Sequence, residues 1–209
     1  MEAIVPVSEK SVILSTAYLA PVEYYTALYR SGRATIEQHC HYTKQTYRNR
    51  CVIASANGLQ TLSIPIVKPD TLKCPTKDIR IAEYGNWRHL HWQAIVSAYQ
   101  STPFFEYYAD DFRPFYEKPQ NFLFDFNETL RTLICKLLDI NPSVNYTDEY
   151  GIEIPSGVCD LREVIHPKKP VTQTIRPYYQ VFADRYGFQP QVSIIDLLFN
   201  MGPESVLWF

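Results

Sequence analysis

The Asn57-Gly58 pair, set between the apolar runs Cys51-Val52-Ile53 and Leu62-Ser63-Ile64-Pro65-Ile66, constrains the chain most tightly. Both central positions of a two-residue hairpin turn need positive φ, and Asn-Gly is the dipeptide that tolerates it best. With those two residues as the turn, Ile53 faces Leu62, Cys51 faces Ile64 and Asn49 faces Ile66 on an apolar face. Side chains alternate across a strand, so Arg48 and Arg50 then project together from the opposite face. Two guanidinium groups placed so form a fork for phosphate or carboxylate. The competing reading is a solvated edge strand whose charges discourage edge-to-edge pairing.

Ahead of the hairpin, Val12-Ile13-Leu14 reads as a buried strand and Pro21 opens a helix that closes at Ser31-Gly32. Ala34 to Gln38 supplies a second strand, most simply parallel to the first. In such sheets functional side chains sit in the loops after strand ends. Those loops are Ser15 to Ala20 and His39 to Thr46, which this topology brings close together. The second of them enters the donor-rich stretch Tyr42-Thr43-Lys44-Gln45-Thr46-Tyr47-Arg48-Asn49-Arg50.

Beyond the hairpin, Ile79 and Ile81 alternate as a short strand, and Asn86 caps a helix to about Gln100 with Trp87, His91, Ala94, Ile95 and Ala98 on one face. A second long helix spans roughly Asn121 to Leu138. Residues Ser143 to Thr174 carry a weak pattern, in which Ile152 and Ile154 alternate, and read as an excursion. Helices are expected from Pro177 to Tyr186 and from Ser193 to Phe199, where Ser193 and Asp196 have capping-box spacing and Asn200 is a C-terminal cap partner. The fold class is therefore α/β: a mixed sheet in the N-terminal half, covered by helices, and a helical C-terminal half. The whole is read as one domain, sheet-rich over 1–82 and helix-rich over 83–209.

A chain of 209 residues with 46% hydrophobic and 20% charged composition buries a substantial core. Its net charge of −2 offers no general attraction to nucleic acid, so RNA binding through Tyr42 to Arg50 ranks third among the functional readings. Five cysteines, odd in number and without a Cys-x-x-Cys pair, read as reduced, largely buried thiols. Met1 to Lys10 lacks an apolar h-region and no later run reaches membrane-spanning length, so the expected compartment is the cytoplasm.

The candidate acid–base pair is His91 with Lys44: an imidazole accepts a proton near neutral pH and an ammonium stabilises an oxyanion or phosphate. Against this, His91 on an apolar helix face also reads as a hydrogen-bonded core histidine, and a loop lysine as simply solvated. Arg48, Asn49 and Arg50 form the binding set. Tyr18, Tyr47, Trp87 and Trp92 offer rings for a sugar or base, although aromatics at helical spacing are more often core. Trp92 lies off the His91 face and is the better candidate for a partly exposed platform. His39 and His41 share a face if the strand continues, whereas His89 and His91 point about 200° apart on a helix. No metal site is assigned and no cofactor enters the reading. Cys40, flanked by two histidines, is the nearest thiol for a covalent mechanism, with a buried structural thiol the simpler reading.

Several blocks of the sequence resemble the WbqC-like family of bacterial surface-polysaccharide gene clusters. They are Tyr18, Pro21 and Tyr25; Lys44, Asn49 and Arg50; Asn86-Trp87 with His91-Trp92; and Leu197-Leu198-Phe199-Asn200 with Gly202-Pro203. Gln38 and His39 stand where that family usually carries acids. The resemblance runs from Val12 to Pro203. It implies a cytoplasmic transferase step in O-antigen or capsular polysaccharide biosynthesis, with an acyl or aminoacyl (glycyl) group passed to a nucleotide- or lipid-linked amino sugar. The partners it implies are that sugar and an acyl or aminoacyl donor. The runner-up is a non-catalytic binding or scaffold subunit of the same machinery, docking through the aromatic segment from Phe104 to Tyr116.

Overall fold

A computed structural model describes residues 11–71, 73–151 and 153–209. The readings placed on Met1 to Lys10 and on Ile152 lie outside the described residues. Strand β1 (Val12–Ser15), helix α1 (Val22–Ser31) and strand β2 (Arg33–Glu37) form the expected unit, with Val12 opposite Ala34 and Ser15 opposite Glu37 in parallel register. Gly32 ends α1 at φ 63°, and its N–H donates to the Leu28 carbonyl. That left-handed turn is inexpensive only for glycine, and it sends the chain directly back into β2.

The hairpin forms as β3 (Arg50–Ser55) and β4 (Gly58–Ser63), but its register differs by two residues from the sequence expectation. Ser55 pairs with Gly58, Cys51 with Leu62 and Ile53 with Gln60. Ala56 and Asn57 are thus the central turn residues, and positive φ falls on Gly58 at 98°. A shift of two keeps each side chain on its face, so Cys51, Ile53 and Leu62 still enter the core. Arg48 lies ahead of β3 rather than in it.

The hairpin stands apart as a two-stranded sheet, while β1 and β2 belong to a four-stranded parallel sheet of order β5-β2-β1-β6. Both outer strands come from the stretch read as an excursion. β5 (Ser143–Tyr146) pairs with β2, and β6 (Cys159–Asp160) pairs with β1. The two strands are short and exposed, so they carry little of the apolar alternation by which strands are recognised in sequence.

Helices α2 (Trp87–Tyr99), α3 (Phe105–Glu117) and α4 (Leu123–Leu137) follow the hairpin. Asn86 precedes α2 in the left-handed region at φ 47° and makes no side-chain cap. On α3, Phe105, Phe112 and Tyr116 are buried and only Tyr107 is widely exposed, at 78%. Phe104, Tyr108 and Phe115 are half-buried, so the segment that the scaffold reading uses for docking is in large part packed inward.

The helix expected over Pro177 to Tyr186 shortens to α5 (Ala183–Tyr186), because Tyr178 and Gln180 both turn toward Asp196 on α6 (Ile194–Met201). Two residues reaching one partner from alternate positions suits extended chain, not helix. Ser193 caps α6 by accepting from the Ile195 N–H, as expected, but the Asp196 side chain bonds Tyr178 and Gln180 instead of closing a capping box. Asn200 donates to the Asp196 carbonyl at 2.7 Å. Among the described residues no helix is long and apolar enough to cross a membrane.

Candidate functional site

The chain reverses its spatial order between β1 and β6. α1 carries the chain from β1 to β2 on one side, and β6 arrives on the other side only after β5. The carboxyl ends of parallel strands at such a switch point leave a crevice outside the sheet. Here it is lined by Ser15 and Thr16 from the end of β1, Tyr47 and Arg48 from the loop before β3, and Arg162 and His166 from the loop after β6.

Backbone contacts fix the two inner loops. The Tyr18 N–H donates to the Tyr47 carbonyl at 2.9 Å, and Asn127 on α4 donates through Nδ2 to the Arg48 carbonyl at 2.8 Å. Thr16 donates to the Glu128 carboxylate at 2.9 Å, and Glu128 pairs with Arg131 at 2.7 Å. Helix α4 therefore holds both loops in place, and the expectation that they lie side by side is met.

Arg48 is only 3% exposed. Its Nη2 donates to Ser15 Oγ at 2.9 Å, to Glu163 Oε1 at 3.0 Å and, at 3.6 Å, to Cys40 Sγ. Its Nε is buried with no partner among the described residues. An unpartnered buried donor costs about 1–3 kcal/mol. The one carboxylate that offsets the buried charge belongs to Glu163, whose side chain is 63% exposed.

Beside it, Glu37 at the end of β2 is fully buried. Its Oε1 accepts from the His39 and Cys40 N–H groups at 2.7 and 3.0 Å and from Thr147 Oγ1 at 3.1 Å, and its Oε2 accepts from Arg162 at 3.3 Å. Arg162 also grips Asp160 with two hydrogen bonds of 2.9 Å, which hold the Asp160 carboxyl below its ordinary range. Glu37 is thus a structural clasp joining β2, β5 and the loop after β6. His166 is half-buried; its Nδ1 accepts from the Lys168 N–H at 3.1 Å, and burial lowers its pKa.

The residues singled out from sequence fall in three places. Tyr47 and Arg48 line the crevice. Arg50 is half-buried at the start of β3 with Nε unpartnered, and it shares the neighbourhood of the Tyr42 phenol with Arg48; burial raises that phenol to about 12 in spite of both cations. Asn49 serves the fold, donating to the Ile64 carbonyl at 2.9 Å. Lys44 is exposed.

The remaining residues are core. Tyr18 is fully buried and bridges His91 Nδ1 at 3.0 Å and Tyr116 Oη at 2.9 Å. Burial lowers the His91 pKa to about 4, the Ser63 backbone opposing the shift. With Nδ1 bonded to Tyr18 and the ring packed against Tyr18 and Trp87, His91 is a buried core histidine, and among the described residues no hydrogen bond joins it to Lys44. Trp87 meets His91 edge-on at 5.1 Å. Trp92 is half-buried, but Tyr116 and Phe105 stack on it at 5.6 and 6.2 Å, so its faces are occupied.

The family-model comparison matches the WbqC-like protein family over residues 16–164. The chain belongs to the WbqC-like family. That span contains Thr16, Tyr47, Arg48 and Arg162 of the crevice, with Ser15 and His166 just outside it. A relative in Mycobacterium tuberculosis, an uncharacterised protein, is 24% identical, with 94% of this chain and 96% of the relative aligned. No solved structure matches.

Sequence reasoning placed Ser15 in a site loop without singling it out, and it missed Glu37, Arg162, Glu163 and His166 as parts of the site. The last three follow a two-residue strand that leaves no periodic trace. Glu37, by contrast, was visible as the acid within the strand expected over Ala34 to Gln38.

Proposed function

We propose that this WbqC-like protein is a transferase of O-antigen or capsular polysaccharide biosynthesis. It passes an acyl or aminoacyl group to a nucleotide- or lipid-linked amino sugar bound over the mouth of the switch-point crevice, whose own free space of about 10 Å³ admits no more than a water. The observation that carries this reading is Arg48, a buried guanidinium lining the crevice with Nε unpartnered. Such a group suits the anionic end of a linked sugar. Tyr47 offers the adjoining aromatic wall, and Arg50 a second cation nearby. The proton-transfer role considered for His91 is not part of the proposal, because its ring is buried in the core with Nδ1 bonded to Tyr18.

A thermal-shift screen of nucleotide sugars, acyl-CoA and aminoacyl donors tests the proposal. A ligand at about a hundred times its dissociation constant stabilises by about 2.7 kcal/mol, several degrees for a chain of this size. A nucleotide sugar is expected to raise Tm in the wild type and not in Arg48→Ala, with Arg50→Ala intermediate. A shift that survives Arg48→Ala, or the absence of any shift, would remove the site assignment.

A further inference from the structure

Arg48 combines three properties that rarely coincide. It is almost wholly buried, it keeps a buried Nε without a partner, and the carboxylate paired with it belongs to an exposed side chain on a surface loop. Structural buried arginines are normally held by equally buried carboxylates, as Arg131 is by Glu128 in this chain. Glu163 has no such anchoring. Its side chain is mostly in solvent, and only Arg48 holds its carboxylate among the described residues.

We propose that Glu163 is a displaceable placeholder, and that the ligand replacing it on Arg48 is a phosphoryl group. The assignment rests on the transferase reading above, and it names the part of the linked sugar that the crevice holds. Charge calls for an anion, and donors decide between phosphoryl and carboxylate. Arg48, Arg162, Lys168 and Lys169 gather at this end of the sheet with Glu37, Asp160 and Glu163; all but Asp160 and Glu37 lie within electrostatic range of His166 or line the crevice with it, and those two are tied to Arg162. With Glu163 turned to solvent, those four cations face Glu37, Asp160 and, within electrostatic range of the crevice-lining Tyr47, Glu23, so cations remain in excess and an anionic ligand is called for.

The donors agree. With Nδ1 of His166 accepting from the Lys168 N–H, the neutral ring carries its proton on Nε2, a further N–H on the crevice wall. Guanidinium and imidazole donors on the crevice wall favour the several acceptor oxygens of a phosphoryl group over the two of a carboxylate.

The test is titration calorimetry of the full chain with inorganic pyrophosphate, in wild type, Glu163→Gln and Arg48→Gln. Removing the competing carboxylate is expected to tighten binding by roughly fivefold in Glu163→Gln, a gain that damage to the fold would not produce. Arg48→Gln is expected to lose binding by tenfold or more. Equal or weaker binding in Glu163→Gln makes Glu163 an ordinary structural partner and overturns the proposal, as does acetate competing at the concentration where pyrophosphate binds.

Comparing UDP with geranyl diphosphate then separates a nucleotide from a lipid carrier as the source, and a clear preference for either supports the phosphoryl assignment. A nucleotide-sugar thermal shift without pyrophosphate binding leaves the transferase reading intact and removes this inference. Pyrophosphate binding tightened by Glu163→Gln, with no sugar shift, does the reverse.

Discussion

His91 and Asp196 are both buried and both titrate far from their ordinary values, in ways that oppose each other. Burial lowers His91 to about 4 from 6.5. The unfolded state therefore takes up the proton first, and stability is lost as pH falls from about 6.5 toward 4. Burial raises Asp196 from 3.8 to about 6 in spite of hydrogen bonds from Tyr178 and Gln180. The folded state there holds the proton more tightly, so stability is lost as pH rises from about 3.8 to 6. Each shift corresponds to about 3 kcal/mol over its window, and between pH 4 and 6 the two slopes cancel. Relative to wild type, Asp196→Asn is expected to show stability falling by about 1.4 kcal/mol for each pH unit below 6, and His91→Gln the opposite slope. Urea denaturation at pH 4.5, 5.5 and 6.5 measures both. Parallel pH profiles for the three proteins would mean that neither group titrates as its burial requires.

Among the elements, the hairpin shows what a sequence signal determines and what it leaves open. Asn57-Gly58 located the turn, and the parity of the apolar face followed from it. The register did not, because Gly58 supplies positive φ equally well as a central turn residue or as the residue after the turn. The observed register makes separate demands on the two residues. Gly58, at φ 98°, resists a side chain on backbone grounds, while the nearest atom to an added Cβ, in the Tyr186 ring, is at an ordinary 3.9 Å. Gly58→Ala is expected to cost about 1–3 kcal/mol, and Asn57→Ala less than about 0.5 kcal/mol, since Asn57 has no positive φ to maintain. Comparable losses in both variants, read from thermal melts, would restore the register with Asn57 and Gly58 at the turn's centre.

At the scale of the whole molecule, β1, α1 and β2 were legible because each carries a buried apolar run bounded by Pro21 and Gly32. The loops that follow them were legible as site positions from topology alone. The other side of the crevice was not, because β5 and β6 are short exposed edges whose place in the sheet depends on Glu37. That carboxylate is fully buried and reaches Thr147 after β5 and Arg162 after β6, 110 and 125 residues along the chain. Without them, Glu37 would be a buried charge held only by the His39 and Cys40 N–H groups, and β2 would lose its outer partner. Breaking such a buried pair is strongly destabilising, by about 3–5 kcal/mol, a large fraction of the roughly 5–15 kcal/mol that holds a domain together. A chain ending at Pro142 loses those partners together with the fully buried Ile194, Ile195, Leu197, Leu198 and Phe199 of α6, and is expected to lack a cooperative thermal transition, although it keeps the central strands, the hairpin and four of the helices. Near-UV circular dichroism and a melt of that fragment decide the matter. A sharp transition with native-like near-UV signal would show that the N-terminal strands and α2 to α4 fold alone. The loop bearing Arg162, Glu163 and His166 would then be an attachment to the fold, not a part of what holds the sheet together.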